Sequence, residues 1–335
     1  MIALVLLAVA FATLLIISYL VFIWWLDRYE REPLWLVFLT FIWGGLGGTC
    51  LSCIINSTVG AGLLEVVGES ASQVMTTVIV APVVEEVMKG LVFVALLNIG
   101  NNIDNRTDGL IYGAATGLGF AAMENLWYYA NGFDAANPGG LLPTIFLRTL
   151  FTSLVHCVSS ALLGMAIGYA RHRSGAARWL VWPALGYVLA VVNHGTWNGL
   201  ATLMSVFGEQ EQELAGLTLL FSCSLVLGAS AMMFIMTQIS LHAEHKFIRH
   251  YLLEEARRGV LPTAHAEIIP YWTKRRRRGW APKGINKEEY IKTATLLAFR
   301  HRQLEIADGD RKHQYMEDIT KFRERLQKLL LKASR

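Results

Sequence analysis

The sequence is short of charge. Only 17% of its 335 residues are Asp, Glu, Lys or Arg, while 54% are hydrophobic; a soluble globular domain carries about 25% charged residues. That shortage excludes a chain made only of soluble domains, so length is no guide to how many it holds. Cysteine is scarce too. Cys50, Cys53, Cys157 and Cys223 all lie in apolar segments, which excludes a disulfide framework. Cys50 and Cys53 form a C-x-x-C, read as small packing residues ahead of a redox or metal pair. No H-E-x-x-H occurs, so the usual helical zinc-protease motif is excluded. No internal repeat is present, where repeats would favour a transporter. The N-terminal apolar run lacks a basic leader, extends about 24 residues and ends in Trp24-Trp25, as expected for a retained first membrane helix.

What the chain does have is long apolar runs. Runs of about 18 residues or more read as transmembrane helices. The expected fold is therefore all-α, a polytopic membrane bundle of about seven spans with a cytosolic helical tail. The spans are Ile2–Leu26, Leu34–Ile55, Ser72–Asn98, Gly109–Ala130, Leu142–Ala170, Trp179–Met204 and Leu214–Ile239, and the short segment Gly60–Gly68 reads as re-entrant or interfacial. Arg28, Arg31, Arg106, Arg171, Arg173 and Arg178 fall in alternate loops, while Asn56–Ala71, Asn131–Gly140 and Ser205–Glu213 contain no Lys or Arg. That alternation predicts the N-terminus outside and the C-terminus in the cytosol. Gly44/Gly48, Gly113/Gly117, Gly164/Gly168 and Gly195/Gly199 are spaced to let helices approach closely. Asp108 is expected to open the fourth span as its N-cap.

Two domains follow: a transmembrane helix bundle over 1–240, with a catalytic core at about 34–203, and a basic helical tail over 241–335. In the tail, Lys274–Arg278 is a basic run flanked by Trp272 and Trp280. Its expected partner is the anionic inner leaflet of the bilayer; no nucleic-acid partner is expected. Asn286 with Glu289 resembles a capping box at the start of a soluble helix, and a last helix is expected near Asp310–Leu331.

The informative residues are ionisable ones inside spans, each costing about 2.5–3.5 kcal/mol at mid-helix. They are Glu85, Glu86 and Lys89 in "APVVEEVMKG", Glu124 and Asn125, Arg148 and His156, and Asn193, His194 and Asn198. Glu85/Lys89, Phe120/Glu124 and His194/Asn198 are each four apart, so each pair shares a helix face. Counted from the cytosolic ends of their spans, Glu85, Glu124, His156 and His194 lie at one depth, roughly 20–23 Å in. Two adjacent carboxylates in a low dielectric do not both ionise easily, and one can serve as a general base towards water. His and Asn on one face can donate to an oxyanion. Base, water and oxyanion donors together point to hydrolysis of a peptide bond. A bare ion pair for Glu85–Lys89 and a packing role for His156 are the structural alternatives. Arg148 is expected to pair with a carboxylate or reach for the interface.

Four pieces carry a family resemblance: "EEVMK", "DGLIYGAATGLGFAAMEN", "RTLFTSLVH" followed by Gly164, and "HGTWN", in order on four consecutive spans. Over about Leu34–Leu203 the chain resembles the PrsW family of intramembrane proteases, kin to the type II CAAX prenyl endopeptidases and bacteriocin-processing membrane proteins. The resemblance implies proteolysis of membrane-anchored proteins in a prokaryotic cytoplasmic membrane, the family example being an anti-sigma factor cut on its extracytoplasmic side. It implies Glu85 and Glu86 as the acid pair, Glu85 being the water-activating base, and His194 and Asn198 on the oxyanion. Glu124 stands where the CAAX relatives have histidine, which argues against prenyl-protein substrates. Glutamic catalysis without a metal is preferred; zinc, if bound, would draw on Glu85, Glu124, His156 and His194. A proton-coupled transporter, since membrane Glu and His also form proton relays, and a non-catalytic scaffold are the competing classes.

Overall fold

The computed structural model describes residues 2–98, 103, 105–171, 173, 175–307 and 309–333, and among them the only regular structure is helical. The helices are α1 (Ile2–Leu26), α2 (Leu34–Ile42), α3 (Thr49–Val67), α4 (Glu69–Met75), α5 (Ala81–Asn98), α6 (Arg106–Asn131), α7 (Leu142–Leu147), α8 (Ser153–Arg171), α9 (Arg178–Gln210), α10 (Gln212–Arg257), α11 (Thr263–Ile268), α12 (Trp272–Arg275), α13 (Lys287–Ile306) and α14 (Asp310–Ala333). π-Helical turns at Trp43–Gly48, Thr76–Val80 and Arg148–Thr152 join α2 to α3, α4 to α5 and α7 to α8. Among the described residues, four helical stretches are long and apolar enough to cross a membrane: Ile2–Leu26, Leu34–Val67, Pro138–Arg171 and Gln212–Arg257. The outward faces of α1 and α10 are apolar, with Leu6, Leu7, Phe11, Leu217, Leu220 and Phe221 exposed. Such faces suit lipid, not water.

The chain divides into two compact units, one of Met1–Trp25, Glu32–Arg171 and Gly175–Ile235, the other of Leu26–Arg31, His172–Ser174 and Met236–Arg335. In the first, α6 is the central helix, buried continuously from Thr107 to Ala121. Its sequence explains this. A Cβ added at Gly109, Gly113 or Gly117 would collide with the carbonyl oxygen of Gly164, Ser160 or His156 on α8. One stripe of α6 thus lets two backbones touch, as small residues do in membrane helices. Glycine costs about 1 kcal/mol per position in a helix interior, so packing, not propensity, holds α6.

Several boundaries differ from the sequence expectation. The loop expected at Asn56–Ala71 is mostly helix: α3 runs to Val67, breaks at Gly68 with φ +79, and α4 starts at Glu69. Polar side chains of this stretch find partners within the helical structure, Thr58 donating to the Ile54 carbonyl at 2.8 Å and Asn56 Nδ2 donating to Glu85. Segment 60–68 is accordingly the end of α3 and its turn. The cap of α6 is Asn105, whose side chain accepts from the Thr107 and Asp108 amides; Asp108 returns the bond to the Asn105 amide at 3.0 Å. Asp108 is therefore the third helical residue of a capping box, not the cap. The change of composition near Leu241 is not a helix end, because α10 continues to Arg257.

The second unit has its own core, which includes Ile248, Leu252, Ile269, Tyr290, Leu297 and Leu326. Asn286 caps α13 by accepting from the Glu289 amide at 3.2 Å, while the Glu289 carboxylate turns to Arg325. Glu255, fully buried, takes a bidentate pair of bonds from Arg323 at 2.7 and 2.6 Å and faces His301 at 3.1 Å. Of the basic run, Arg275 is buried and donates to the Arg28 carbonyl, whereas Lys274, Arg276, Arg277 and Arg278 are exposed.

Candidate functional site

The polar residues of α5, α6, α8 and α9 converge in the first unit. Helix α5 starts at Ala81 directly after a π-helical turn, has Pro82 in its first turn and carries Glu85, Glu86 and Lys89, all buried. Glu86 is saturated: Lys89 Nζ donates to it at 2.7 Å, His194 Nδ1 at 2.9 Å and Ser160 Oγ at 3.2 Å. Lys89 Nζ also lies 3.0 Å from His156 Nδ1, 3.9 Å from Glu85 Oε2 and 4.0 Å from the centre of the Phe120 ring. His156 Nε2 is 2.9 Å from Glu124 Oε2, which Arg148 Nη2 meets at 2.6 Å. Asn125 ties this corner together, accepting from Arg148 Nε at 3.0 Å and donating to Ser153 Oγ at 3.0 Å.

Donor chemistry assigns the tautomers. An ammonium only donates and a carboxylate only accepts. Lys89 therefore donates to His156 Nδ1, and His156 carries its proton on Nε2, bonded to Glu124. His194 donates Nδ1–H to Glu86, which leaves the Nε2 lone pair open. That nitrogen lies 3.7 Å from Glu85 Oε2, and Glu85 Oε2 is buried with no hydrogen-bond partner. The charges divide the same way. Three carboxylates stand among two cations; Lys89 is nearest Glu86 and Arg148 nearest Glu124, so Glu85 is the acid with no close cation of its own.

The expected residues are thus largely brought together: Glu85, Glu86, Lys89, Phe120, Glu124, Asn125, Arg148, His156 and His194 form one connected network. Asn198 does not join it, its amide donating to the Thr77 carbonyl at 3.0 Å. Asn193 donates to Ser159 Oγ at 2.8 Å, on α8. Among metal-capable groups, Glu85, His156 and His194 have ligand atoms all within 4.8 Å of one another; Glu124 lies outside that set, bonded to Arg148. Two participants escaped the sequence reading. Ser160 sits one turn after His156 on the same face of α8, a spacing that could have flagged it. Asn56 Nδ2 reaches Glu85 Oε1 at 3.4 Å, and its placement in an expected loop hid it.

Comparison with known proteins identifies the family. The profile of the PrsW family intramembrane metalloprotease matches residues 32–236. Protease PrsW of Geobacillus kaustophilus is 28% identical over 175 residues, covering 52% of this chain and 70% of its own length. Protease PrsW of Bacillus subtilis is 26% identical over 180 residues, covering 53% and 75%. No solved structure matches. The matched region holds every residue of the polar network and well over half of the 335 residues, so the chain belongs to the PrsW family of intramembrane proteases.

Proposed function

We propose that this chain cleaves membrane-anchored proteins, of the anti-sigma-factor kind, with a water activated by Glu85. The observation that carries the reading is the facing pair of acceptors, Glu85 Oε2 and His194 Nε2, at 3.7 Å. Glu85 Oε2 has no hydrogen-bond partner, and His194 spends its Nδ1–H on Glu86, so its Nε2 lone pair is the one that faces Glu85. A water placed there donates one hydrogen to each and keeps a lone pair for the scissile carbonyl carbon. As the C–O bond forms, Glu85 takes the proton; as the C–N bond breaks, it passes that proton to the leaving nitrogen. Lys89 Nζ lies 3.9 Å from Glu85 Oε2. Glu86 fixes the His194 tautomer, and the Arg148–Glu124 pair fixes that of His156. Asn198, one turn from His194, is the oxyanion donor in this reading, exchanging the Thr77 carbonyl for the substrate oxygen.

Zinc has ligands of the right type in Glu85, His156 and His194. As they stand they do not fit it. His156 has no free nitrogen, one accepting from Lys89 and the other donating to Glu124, and the Lys89 ammonium occupies the place beside the donors. The reading assigns no step to a metal. It further takes the chain as an integral protein of a prokaryotic cytoplasmic membrane with seven spans, N-terminus outside and C-terminus inside. In that reading Lys274, Arg276, Arg277 and Arg278 face anionic headgroups.

The test is purified protein in liposomes with a co-reconstituted membrane-anchored substrate. Wild type is expected to cut and to keep cutting after chelation, whereas Glu85→Gln does not cut. Cleavage by Glu85→Gln at the wild-type rate overturns the assignment.

A further inference from the structure

Beside Glu85 the first unit has an open polar recess of about 500 Å³, walled by α3, α4 and the π-helical turn, with Asn56, Gly60, Glu69, Gln73 and Thr76 among its lining residues. No Lys or Arg lines it, and Glu69 is its one charged group. Asn56 links it to the site, since its Nδ2 donates to Glu85 while its Oδ1 is buried without a partner. Thr76 Oγ1 is also buried and unpartnered, as is Ser52 Oγ, one turn from Asn56 on α3. Ser52, Asn56 and Gly60 recur every fourth residue on α3, so neighbours in this series share one face of the helix.

A buried acceptor left without a donor is costly. A peptide unwound inside a membrane for cleavage has the complementary fault, backbone N–H groups with no acceptor. We propose that the recess is a substrate subsite for an unwound, neutral or basic polar stretch next to the scissile bond, with Asn56 Oδ1 and Thr76 Oγ1 accepting its backbone N–H groups. Glu69 then favours Lys or Arg over Asp or Glu in that stretch. The inference rests on the protease reading above, because Asn56 joins the recess to Glu85.

The test separates the two. A benzophenone-bearing residue at position 73 is placed in Glu85→Gln protein, in liposomes, with single-span peptides whose Gly-Ser stretch holds a central Lys or Asp. The Lys peptide is expected to cross-link at least fivefold more than the Asp peptide, and Glu69→Lys to reverse that order. Equal cross-linking of both peptides, or capture only by a probe at Leu220 on α10, leaves the recess to water and overturns the subsite. Cleavage of the same peptides by the wild-type chain is read separately. Selective cross-linking without cleavage overturns the reaction and keeps the subsite; cleavage with unselective cross-linking does the reverse; neither overturns both. Thr76→Val should raise KM about fivefold, the loss of one hydrogen bond, and Thr76→Ser should restore it.

Discussion

Glu85 Oε2 and His194 Nε2 face each other at 3.7 Å with both lone pairs unfilled. Every other ring nitrogen or carboxylate oxygen near them that carries a bond is held by Lys89, Arg148, Ser160, Asn56 or a histidine. In the proposed mechanism the reacting water occupies that gap. Its two sides should fail differently. Glu85→Gln removes the base and should lower cleavage at least ~100-fold, the lower bound for a general base. His194→Gln keeps an acceptor for the water but loses the tethered ring, so it should retain more activity than His194→Ala. Single-turnover rates on a membrane-anchored substrate check this; equal loss in Gln and Ala would remove the water-orienting role from His194.

Lys89 sits in the centre of the network, 1% exposed and bonded to Glu86 and His156. Removing one member of a buried ion pair costs about 3–5 kcal/mol. Lys89→Met should therefore lower thermal stability in detergent as well as activity, while the double change Lys89→Met with Glu86→Leu should recover part of the stability and none of the activity. A Lys89→Met protein with wild-type melting would place the ammonium outside the structural role argued here.

How much of this was legible in the sequence depended on whether a residue's neighbours lie along the helix or across it. The ionisable residues stood out because charge in an apolar run is costly, and counting along the expected spans led to the expectation that they meet. What bonds to what did not follow. Nothing in the spacing says that Arg148 takes Glu124, that Glu86 is saturated while Glu85 is not, or that Asn198 donates to Thr77. Those are choices among side chains from different helices, set by rotation about each axis. Helix ends were misread where polar residues had inward partners: Asn56 looked like loop because the Glu85 carboxylate it donates to lies 29 positions on in the chain. The glycine spacing, by contrast, was readable as contact, and the stripe from Gly109 to Gly117 meets α8.

That stripe makes a contrast within one residue type. A Cβ at Gly113 would overlap the Ser160 carbonyl, whereas a Cβ at Gly62 on α3 would meet nothing within 4 Å. Gly113→Ala should separate α6 from α8 and cost both folded yield and activity. Gly62→Ala should be neutral or stabilising by up to ~1 kcal/mol, the helix-propensity gain. Fluorescence-detected size exclusion after a heating series measures both, and a Gly113→Ala protein as stable as wild type would contradict the close approach.

The tail offers a prediction on pH. Burial alone would push the Glu255 carboxyl up, but the paired bonds from Arg323, with His301 alongside, bring it down from 4.5 to about 2. A carboxyl whose folded value is depressed stabilises the fold fully above its unfolded value and loses that contribution as the pH falls through the folded one. The Glu255–Arg323 contribution should thus be complete at neutral pH and fade between about 4.5 and about 2. Limited proteolysis of the 335-residue chain with an acid-tolerant protease follows this directly. Cutting between α10 and α14 should rise over that window in wild type. Glu255→Gln should start from a higher rate at neutral pH, because it leaves the Arg323 guanidinium without its carboxylate, and should change less over the same window. If the two proteins show the same rise on acidification, the tail's acid sensitivity belongs to other carboxylates, and the Glu255–Arg323 pair does not hold α14 against α10.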